Sequence, residues 1–532
     1  MRGGVTLARL EQVLEASGVP ARLELRMPTG GRPRQLSVRA LLVGVLLALA
    51  DDRPAQLTRV HEALVSLSNA DRRRLGVTVL RLGRVHTLTY RQVERTFSVM
   101  TTTMDPTPVP SFAGVEPEDH AAHLAAAHAG APPDADVTLR AVVDLLCEAS
   151  IPGQWRDASS SYAVDWTDHP AWSRPVAKGE VALAADPDAG WGHCKSHAPG
   201  DRDRLFFGWY AQAAVMVHDE GGPPVPELVR RVVLDAPSVD PPTAMAQVLV
   251  AVVSSGVRVT EVLADSGYSH RRAERWATPL RKVGIRLVQD LHPQDRGPKG
   301  AFEGAVCASG SLYCPCAPKA LLSMSLPARD SSPEQIAAHA ERCAELDRWR
   351  FRPICTDDDD GYHRVQCPAA ANRVRCPLKP DSMALGFDRP EVTDPPTEPP
   401  MACRQATLTV PPTVNAATRQ KHPYPSVALR LSYKRRTSSE RAFSTIKDCS
   451  STDVRRGSSR LFGRTKNLLM LTAAVVVRNL RVLDSFDGRR MEDTRRAAAG
   501  QPARTRRRRR TPLTDLPTHE DVSRAPAVID SG

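Results

Sequence analysis

Between Asp240 and Val288 the chain alternates between patterns suited to a helix and patterns suited to a strand. Asp240 is a capping residue, Pro241 fits a first turn, apolar residues run from Ala244 to Val253, and Gly256 ends the helix. Val257-Arg-Val-Thr-Glu-Val-Leu-Ala264 is β-branched and alternating, then breaks at Asp265-Ser-Gly267, a strand that delivers a carboxylate at its end. A helix over His270 to Val283, Gly284 as a stop and a strand from Ile285 to Val288 follow. Upstream, Ser161 to Asp165 is a short strand closing in an acid, and Leu205 to Val217 and Glu227 to Leu234 are two more strands. Three strands, helix, strand, helix, strand predicts an α/β layer with parallel pairing. Ligand sites in such layers gather at the carboxyl ends of strands. Asp165 and Asp265 occupy those ends, with Asp157, Asp168 and Asp235 as competitors.

Far downstream lies Tyr433-Lys-Arg-Arg436-Thr-Ser-Ser-Glu440-Arg-Ala-Phe-Ser-Thr-Ile-Lys447, spaced Tyr-x2-Arg-x3-Glu-x6-Lys. At roughly 100° per residue, these four side chains fall within about 60° of one another on a helix. Phe443 and Ile446 point elsewhere, towards a core. One acid flanked by two cations suits a site that holds metal ions and phosphates together. A solvated helix with alternating charges would look similar. Ser438 and Ser439 are good N-caps, so the helix could also begin near Glu440, with Tyr433 and Arg436 approaching from a turn.

The spacing resembles the Tyr-Arg-Glu-Lys signature of bacterial insertion-sequence transposases of the three-acid, or DDE, type. The resemblance covers roughly residues 155 to 480, and includes Asp186-Pro-Asp-Ala-Gly-Trp-Gly192, Ala264-Asp-Ser-Gly-Tyr-Ser269 and the Asn-Leu-Arg helix closed at Leu480. It implies an α/β fold with a ribonuclease-H-like catalytic core, a mixed sheet with flanking helices, plus an N-terminal helical domain and a Cys-rich insertion. It implies that Asp165, Asp265 and Glu440 are catalytic and hold Mg²⁺, with Mn²⁺ able to substitute. Asp165 would bridge two ions, and Tyr433, Arg436 and Lys447 would contact DNA phosphates near the cleaved end. In-line cutting and joining needs an activated attacking oxygen and a stabilised leaving one, which two divalent ions about 3.5–4 Å apart supply. Hard oxygen ligands suit Mg²⁺. Lys as a point charge and Arg as a fork suit phosphate. The expected partners are double-stranded DNA, as terminal repeats and target, and a second copy in a homodimer on paired ends. An inactive relative that only binds DNA, or a metal-dependent nuclease on the same fold, are the alternatives. The intact acids favour the active enzyme, whereas Trp166 and Trp209-Tyr210 replace smaller or more polar residues expected in relatives.

Between Val288 and Glu440 lie roughly 150 residues, longer than an ordinary loop. They hold a turn-rich stretch from Asp290 to Gly304, a helix with a Ser331–Glu334 capping box running to Trp349, and Pro-rich, weakly structured chain from Pro377 to Pro412. Cys307, Cys314, Cys316, Cys343, Cys355, Cys367, Cys376 and Cys403 also fall here. Cys314, Cys316, Cys355, Cys367 and Cys376 are the candidate zinc ligands, with His363 a further one. Their spacing is not the paired Cys-x2-Cys of familiar zinc sites, and free buried cysteines are the plainer alternative.

A chain of 532 residues implies several domains. The expected divisions are a helical, DNA-binding domain (1–103), a linker and connecting helix (104–150), a first core segment (151–290), the Cys/Pro-rich insertion (291–430), a second core segment with the Glu440 helix (431–484) and a disordered basic tail (485–532). The first 150 residues carry helical periodicity without strand alternation, with Ser37 capping a helix through Ala50 and Thr89–Gln92 a capping box. Arg32, Arg34, Arg39, Arg53, Arg59 and Arg72 to Arg74 decorate this region, and a dimerisation role fits it nearly as well as DNA binding. The formal charge of +12 favours a polyanionic partner. Much of that surplus is Arg504 and the run Arg506 to Arg510, which would add salt-sensitive DNA affinity. The apolar runs Leu41 to Ala50 and Leu468 to Val477 are too short to span a bilayer. A bacterial cytoplasmic, nucleoid-associated location without membrane attachment is therefore expected.

Overall fold

The computed structural model describes residues 5–30, 34–175, 184–194, 204–328, 331–448, 451–502 and 504. Arg32 and the run Arg506 to Arg510 lie outside the described residues. At its centre is a mixed sheet flanked by helices. The strands are β1 (Ser161–Pro170), β2 (Gly190–Cys194), β3 (Arg204–Val217), β4 (Val229–Asp235), β5 (Glu261–Ala264) and β6 (Arg286–Gln289). Their lateral order is β4–β3–β1–β5–β6, with β2 on the other half of β3. β3 is antiparallel to β1, β2 and β4, whereas β5 runs parallel to β1 and β6 parallel to β5. The parallel step from β4 to β5 is made through α1 (Pro241–Ser254), whose buried Met245, Ala246, Leu249 and Val252 form one stripe. Asp240 caps it, accepting from the Thr243 amide at 3.3 Å.

The sequence and the structure differ at identifiable places. β1 does not stop at Asp165 but continues to Pro170, because β3 is long enough to pair along its whole length. The single helix expected over His270 to Val283 is a 3₁₀ turn (Ala273–Arg275) followed by α2 (Ala277–Lys282). Pro279 is the reason, since proline is tolerated only in a helix's first turn. The capping box of the insertion is Ser332–Gln335, one residue later than expected, which puts Pro333 at the first helical position. The N-terminal region is not wholly helical. An exposed hairpin of Thr78–Arg81 and Arg84–Thr87 turns through Leu82 (φ 50°) and Gly83 (φ 73°), both left-handed as a tight hairpin turn requires.

The remaining N-terminal elements surround Val38–Ala50, buried on nearly every face as an apolar-all-round helix must be. Ser37 caps it, accepting from the Ala40 amide at 3.1 Å. α3 (Thr437–Ile446) packs on β1 and β3, and behind the sheet Leu468 to Val477 of α4 (Arg464–Ala498) is likewise buried. Asn479 on α4 accepts from the Val229 amide at 2.9 Å and donates to the Val229 carbonyl at 2.8 Å, satisfying the edge of β4. This helix runs on to Ala498 instead of yielding to a tail at residue 485, in keeping with its Arg, Glu, Met and Ala content.

The insertion has its own core, built around Tyr313, Leu346, Trp349, Phe351, Val365, Val374 and Leu408. Two three-stranded sheets frame it, Pro298–Phe302 with Ala305–Ala308 and Ser311–Tyr313, and Arg352–Pro353 with His363–Gln366 and Thr407–Val410. The Pro-rich stretch is thus held by a core and a strand despite its sparse secondary structure. Among the described residues, no helix is long and apolar enough to cross a membrane.

Candidate functional site

Strand register brings the two aspartates together. Ala163 on β1 is paired with Leu263 on β5, and Leu263 with Val288 on β6. Two residues further along each strand stand Asp165, Asp265 and Asp290. A shared step of two keeps the same face, so three adjacent parallel strands deliver carboxylates at one end of the sheet. Asp290 was read from sequence only as the start of a turn. Its signal was nevertheless the one that exposed Asp265, an acid just after a short apolar strand.

Asp265 is fixed by its own loop. Its side chain accepts from the Gly267 amide at 2.9 Å, starting the one-turn helix Ser266–Ser269. Gly267 lies directly under the Trp166 ring, where any Cβ would collide. Trp166 in turn packs edge-on against Tyr268 at 4.6 Å between centroids, and Tyr268 meets Trp276 at 4.7 Å. The unexpected tryptophan after Asp165 therefore wedges the two acidic loops into one aromatic block.

Glu440 arrives from α3, whose Ala442, Phe443 and Ile446 are buried. The four motif residues do not share a single regular helix. Tyr433 ends the helix Val427–Tyr433, Arg436 closes a 3₁₀ turn, Glu440 sits in the first turn of α3, and Lys447 is its C-cap. Ser438 and Ser439 are buried within α3 and are not caps. Arg436 joins the parts. Its guanidinium lies 3.4 Å from Asp165 Oδ2, hydrogen-bonds Glu440 and sits over the Tyr433 ring at 5.5 Å. Lys447 donates to Thr167 Oγ1 at 2.7 Å and to Asp168 Oδ1 at 3.0 Å. Asp168 is therefore the counter-ion of Lys447. Asp235 faces Arg464 at 3.5 Å, and Asp157 caps the short helix Gly153–Arg156.

The electrostatics follow from this crowding. Burial pushes the Asp165 carboxyl up to about 7; Arg436 opposes the rise, while Asp265 and Glu440 add to it. Burial also raises the Tyr433 phenol, so it is protonated at neutral pH. Arg436, despite the cost of burial, is held above its ordinary value by Tyr433, Asp165, Glu440 and Asp265. Glu440 is half exposed, at 52% of its side chain, which leaves the site open to solvent on that side. The site gathers the carboxylates of Asp165, Asp265 and Glu440 around the Arg436 guanidinium.

Compared with protein-family models and with curated proteins, the chain matches none.

Three further groups complete the picture. His270, His292 and Asp295 form a small cluster beside the acid-bearing loops, with ligand atoms all within 4.8 Å of one another. His270 Nδ1 lies 3.1 Å from Asp295 Oδ2, and the two imidazoles stack at 4.0 Å. Sequence reading missed this group, whose members are spread over 26 residues that include α2 and β6. Of the candidate zinc ligands, Cys314, Cys316, Cys367 and Cys376 converge, joined by Cys403. Cys355 is exposed, accepting from the Arg364 amide at 3.3 Å, and His363 is taken up by Arg419 at 2.7 Å. Many N-terminal arginines have partners inside their own region. Arg34 pairs with Glu24, Arg39 and Arg74 with Glu11, and Arg53 and Arg59 with Glu62, while Arg73 is exposed.

Proposed function

We propose that this chain is a DDE-type transposase, binding the ends of a mobile DNA element and catalysing metal-dependent phosphodiester cleavage and strand transfer. The observation that carries the reading is the convergence of Asp165 and Asp265, in register on adjacent parallel strands, with Glu440, linked to Asp165 through Arg436. The lateral order β4–β3–β1–β5–β6, with three antiparallel strands followed by two parallel ones, supports a ribonuclease-H-like core. The motif spacing Tyr433, Arg436, Glu440, Lys447 supports the same family. The net positive charge is consistent with a DNA partner engaged by paired subunits in a bacterial cytoplasm.

Asp165, Asp265 and Glu440 would hold Mg²⁺, with Asp290 close enough to reinforce their field. Bound divalent ions would activate the attacking oxygen and stabilise the leaving one. This chain's own groups do the rest. A water or a DNA 3′-hydroxyl, giving up its proton to solvent, forms the new P–O bond as the P–O3′ bond breaks, and the departing O3′ takes up a proton from solvent. Arg436 and Lys447 supply phosphate contacts on exchanging their carboxylate partners for DNA. Tyr433 is a hydrogen-bond donor to phosphate: its phenol is protonated, which suits contact and not attack. Trp166 and Tyr268 keep the aspartate loops rigid and exclude water from beneath them.

The test is cleavage of DNA flanking this gene, in Mg²⁺, by wild type and by Asp265→Ala. Strand breaks at element ends by wild type alone, with both proteins binding the DNA, support the reading. Binding by wild type without cleavage, on correct ends, points to an inactive DNA-binding relative. Cleavage without any joined product points to a nuclease.

A further inference from the structure

Five thiols of the insertion have no part in the acid site. Cys314 and Cys316 flank Pro315 directly after the strand Ser311–Tyr313, and Cys367 directly follows the strand His363–Gln366. Cys376 stands in irregular chain bridged to Lys379, and Cys403 lies on the one-turn helix Met401–Arg404. Four separate segments, spread from residue 314 to residue 403, thus bring cysteines to the wall of one cavity. Cys314, Cys367, Cys376 and Cys403 line a cavity of about 10 Å³, roughly the room of a single water-sized sphere. The Cys314 thiol is hydrogen-bonded to Cys316. All five are free thiols.

Buried cysteines often serve merely as small apolar side chains. Cys307 and Cys343 of this insertion fit that description, being buried in its core away from the cavity. The five differ because they converge from segments that share little regular structure. A cluster of mutually opposed thiols around a one-atom space is costly as thiolates and favourable once a soft cation neutralises them.

We propose that Cys314, Cys367, Cys376 and Cys403, the four thiols that line the cavity, bind a single zinc ion that clips the loops of the insertion together, with Cys316 hydrogen-bonded to Cys314 beside it. On binding, each of the four sulfurs forms a Zn–S bond and its proton, where present, passes to solvent. The set differs from the five cysteines legible in sequence by losing Cys316 and Cys355 and gaining Cys403. Nothing in the spacing revealed it, because Cys403 follows a long Pro-rich stretch.

The test is metal content of the full chain purified from zinc-supplemented cells, by plasma mass spectrometry. One zinc per chain is expected in wild type and in Cys355→Ser, and its loss is expected in Cys367→Ser, Cys376→Ser and Cys403→Ser. Should those variants misfold, wild type exchanged with Co²⁺ supplies a second readout, with intense thiolate-to-cobalt charge-transfer bands expected. Limited proteolysis with a chelator should then cut the insertion first. Wild type without metal would overturn the proposal, as would absent charge-transfer bands, or zinc lost as fully from Cys355→Ser as from Cys403→Ser. Iron with acid-labile sulfide in place of zinc would also overturn the single-ion assignment.

Discussion

Arg435 donates to Glu261 Oε1 at 2.5 Å, and this buried pair fastens the turn bearing Arg436 to the strand leading to Asp265. Side-chain exposure is 5% for Arg435 and 2% for Glu261. Arg435 also donates to the carbonyls of His218 and Ser432, while Glu261 is met from its other side by Lys421. Arg435, which the Tyr-x2-Arg-x3-Glu-x6-Lys spacing leaves unspecified, is therefore the residue that positions its neighbours. Breaking a buried pair at one partner costs about 3–5 kcal/mol, because the other charge is left uncompensated. Glu261→Gln and Arg435→Met should each destabilise the chain on that scale in urea denaturation, and the double variant Glu261→Leu/Arg435→Met should cost less than their sum. A loss below about 1 kcal/mol in the single variants would contradict this role.

Asp165 gives a pH dependence of defined sign. Its folded-state pKa of about 7 lies above the ordinary 3.8, so the stability linked to its proton is present below pH 4 and lost as pH rises through 7. Without divalent metal, Asp165→Asn should therefore be more stable than wild type at pH 8, by on the order of 2 kcal/mol. That advantage should shrink by pH 5. Saturating Mg²⁺ should raise the wild-type Tm at pH 8 and leave Asp165→Asn nearly unchanged. Thermal melts with and without EDTA read both effects, and a less stable Asp165→Asn at pH 8 without metal would refute the crowding.

Gly267 and Trp166 make a steric pair. A Cβ at Gly267 would collide with the Trp166 ring and press on Asp265 Oδ1 at 3.1 Å. Gly267→Ala should cost about 1–3 kcal/mol and displace Asp265. Trp166→Phe in the same chain should restore much of the stability and of DNA cleavage. Failure of the second change to rescue either property would show that the collision is not the cause.

Lys447 is held by Asp168 and Thr167 in the free protein. Asp168→Asn should release it and tighten DNA binding several-fold, whereas Lys447→Ala should weaken binding and lower the salt slope by about 0.9. Fluorescence anisotropy across a salt series measures both. Identical slopes for wild type and Lys447→Ala would mean that Lys447 touches no phosphate.

Five of the six strands of the sheet were legible, β4, β5 and β6 because an Asp closes or follows each, whereas β2 (Gly190–Cys194) escaped; helical caps such as Asp240 and Ser37 work through local hydrogen bonds that neighbouring residues suffice to specify. Asp165 and Asp265 stood out because each follows a short apolar run, and Glu440 through the motif spacing alone. What escaped depends on chain segments far apart. The length of β1 beyond Asp165 was set by pairing with β3. Glu261 looked like an ordinary alternating strand residue, and its partners, Arg435 and Lys421, lie more than 150 residues away. Asp290 was obscured by the turn-forming residues that follow it. The exposed hairpin at Leu82–Gly83 was passed over because its strands are too short to establish a period of two.

The central claim is that Asp165, Asp265 and Glu440 act together on a phosphodiester. Joining of a duplex with a free 3′-hydroxyl element end to target DNA in Mg²⁺ tests it most directly. Wild type should produce joined strands, and Asp165→Asn, Asp265→Asn and Glu440→Gln should each lose them by about 100-fold or more while still binding the duplex. Joining at the wild-type rate by any one of the three variants would contradict the account.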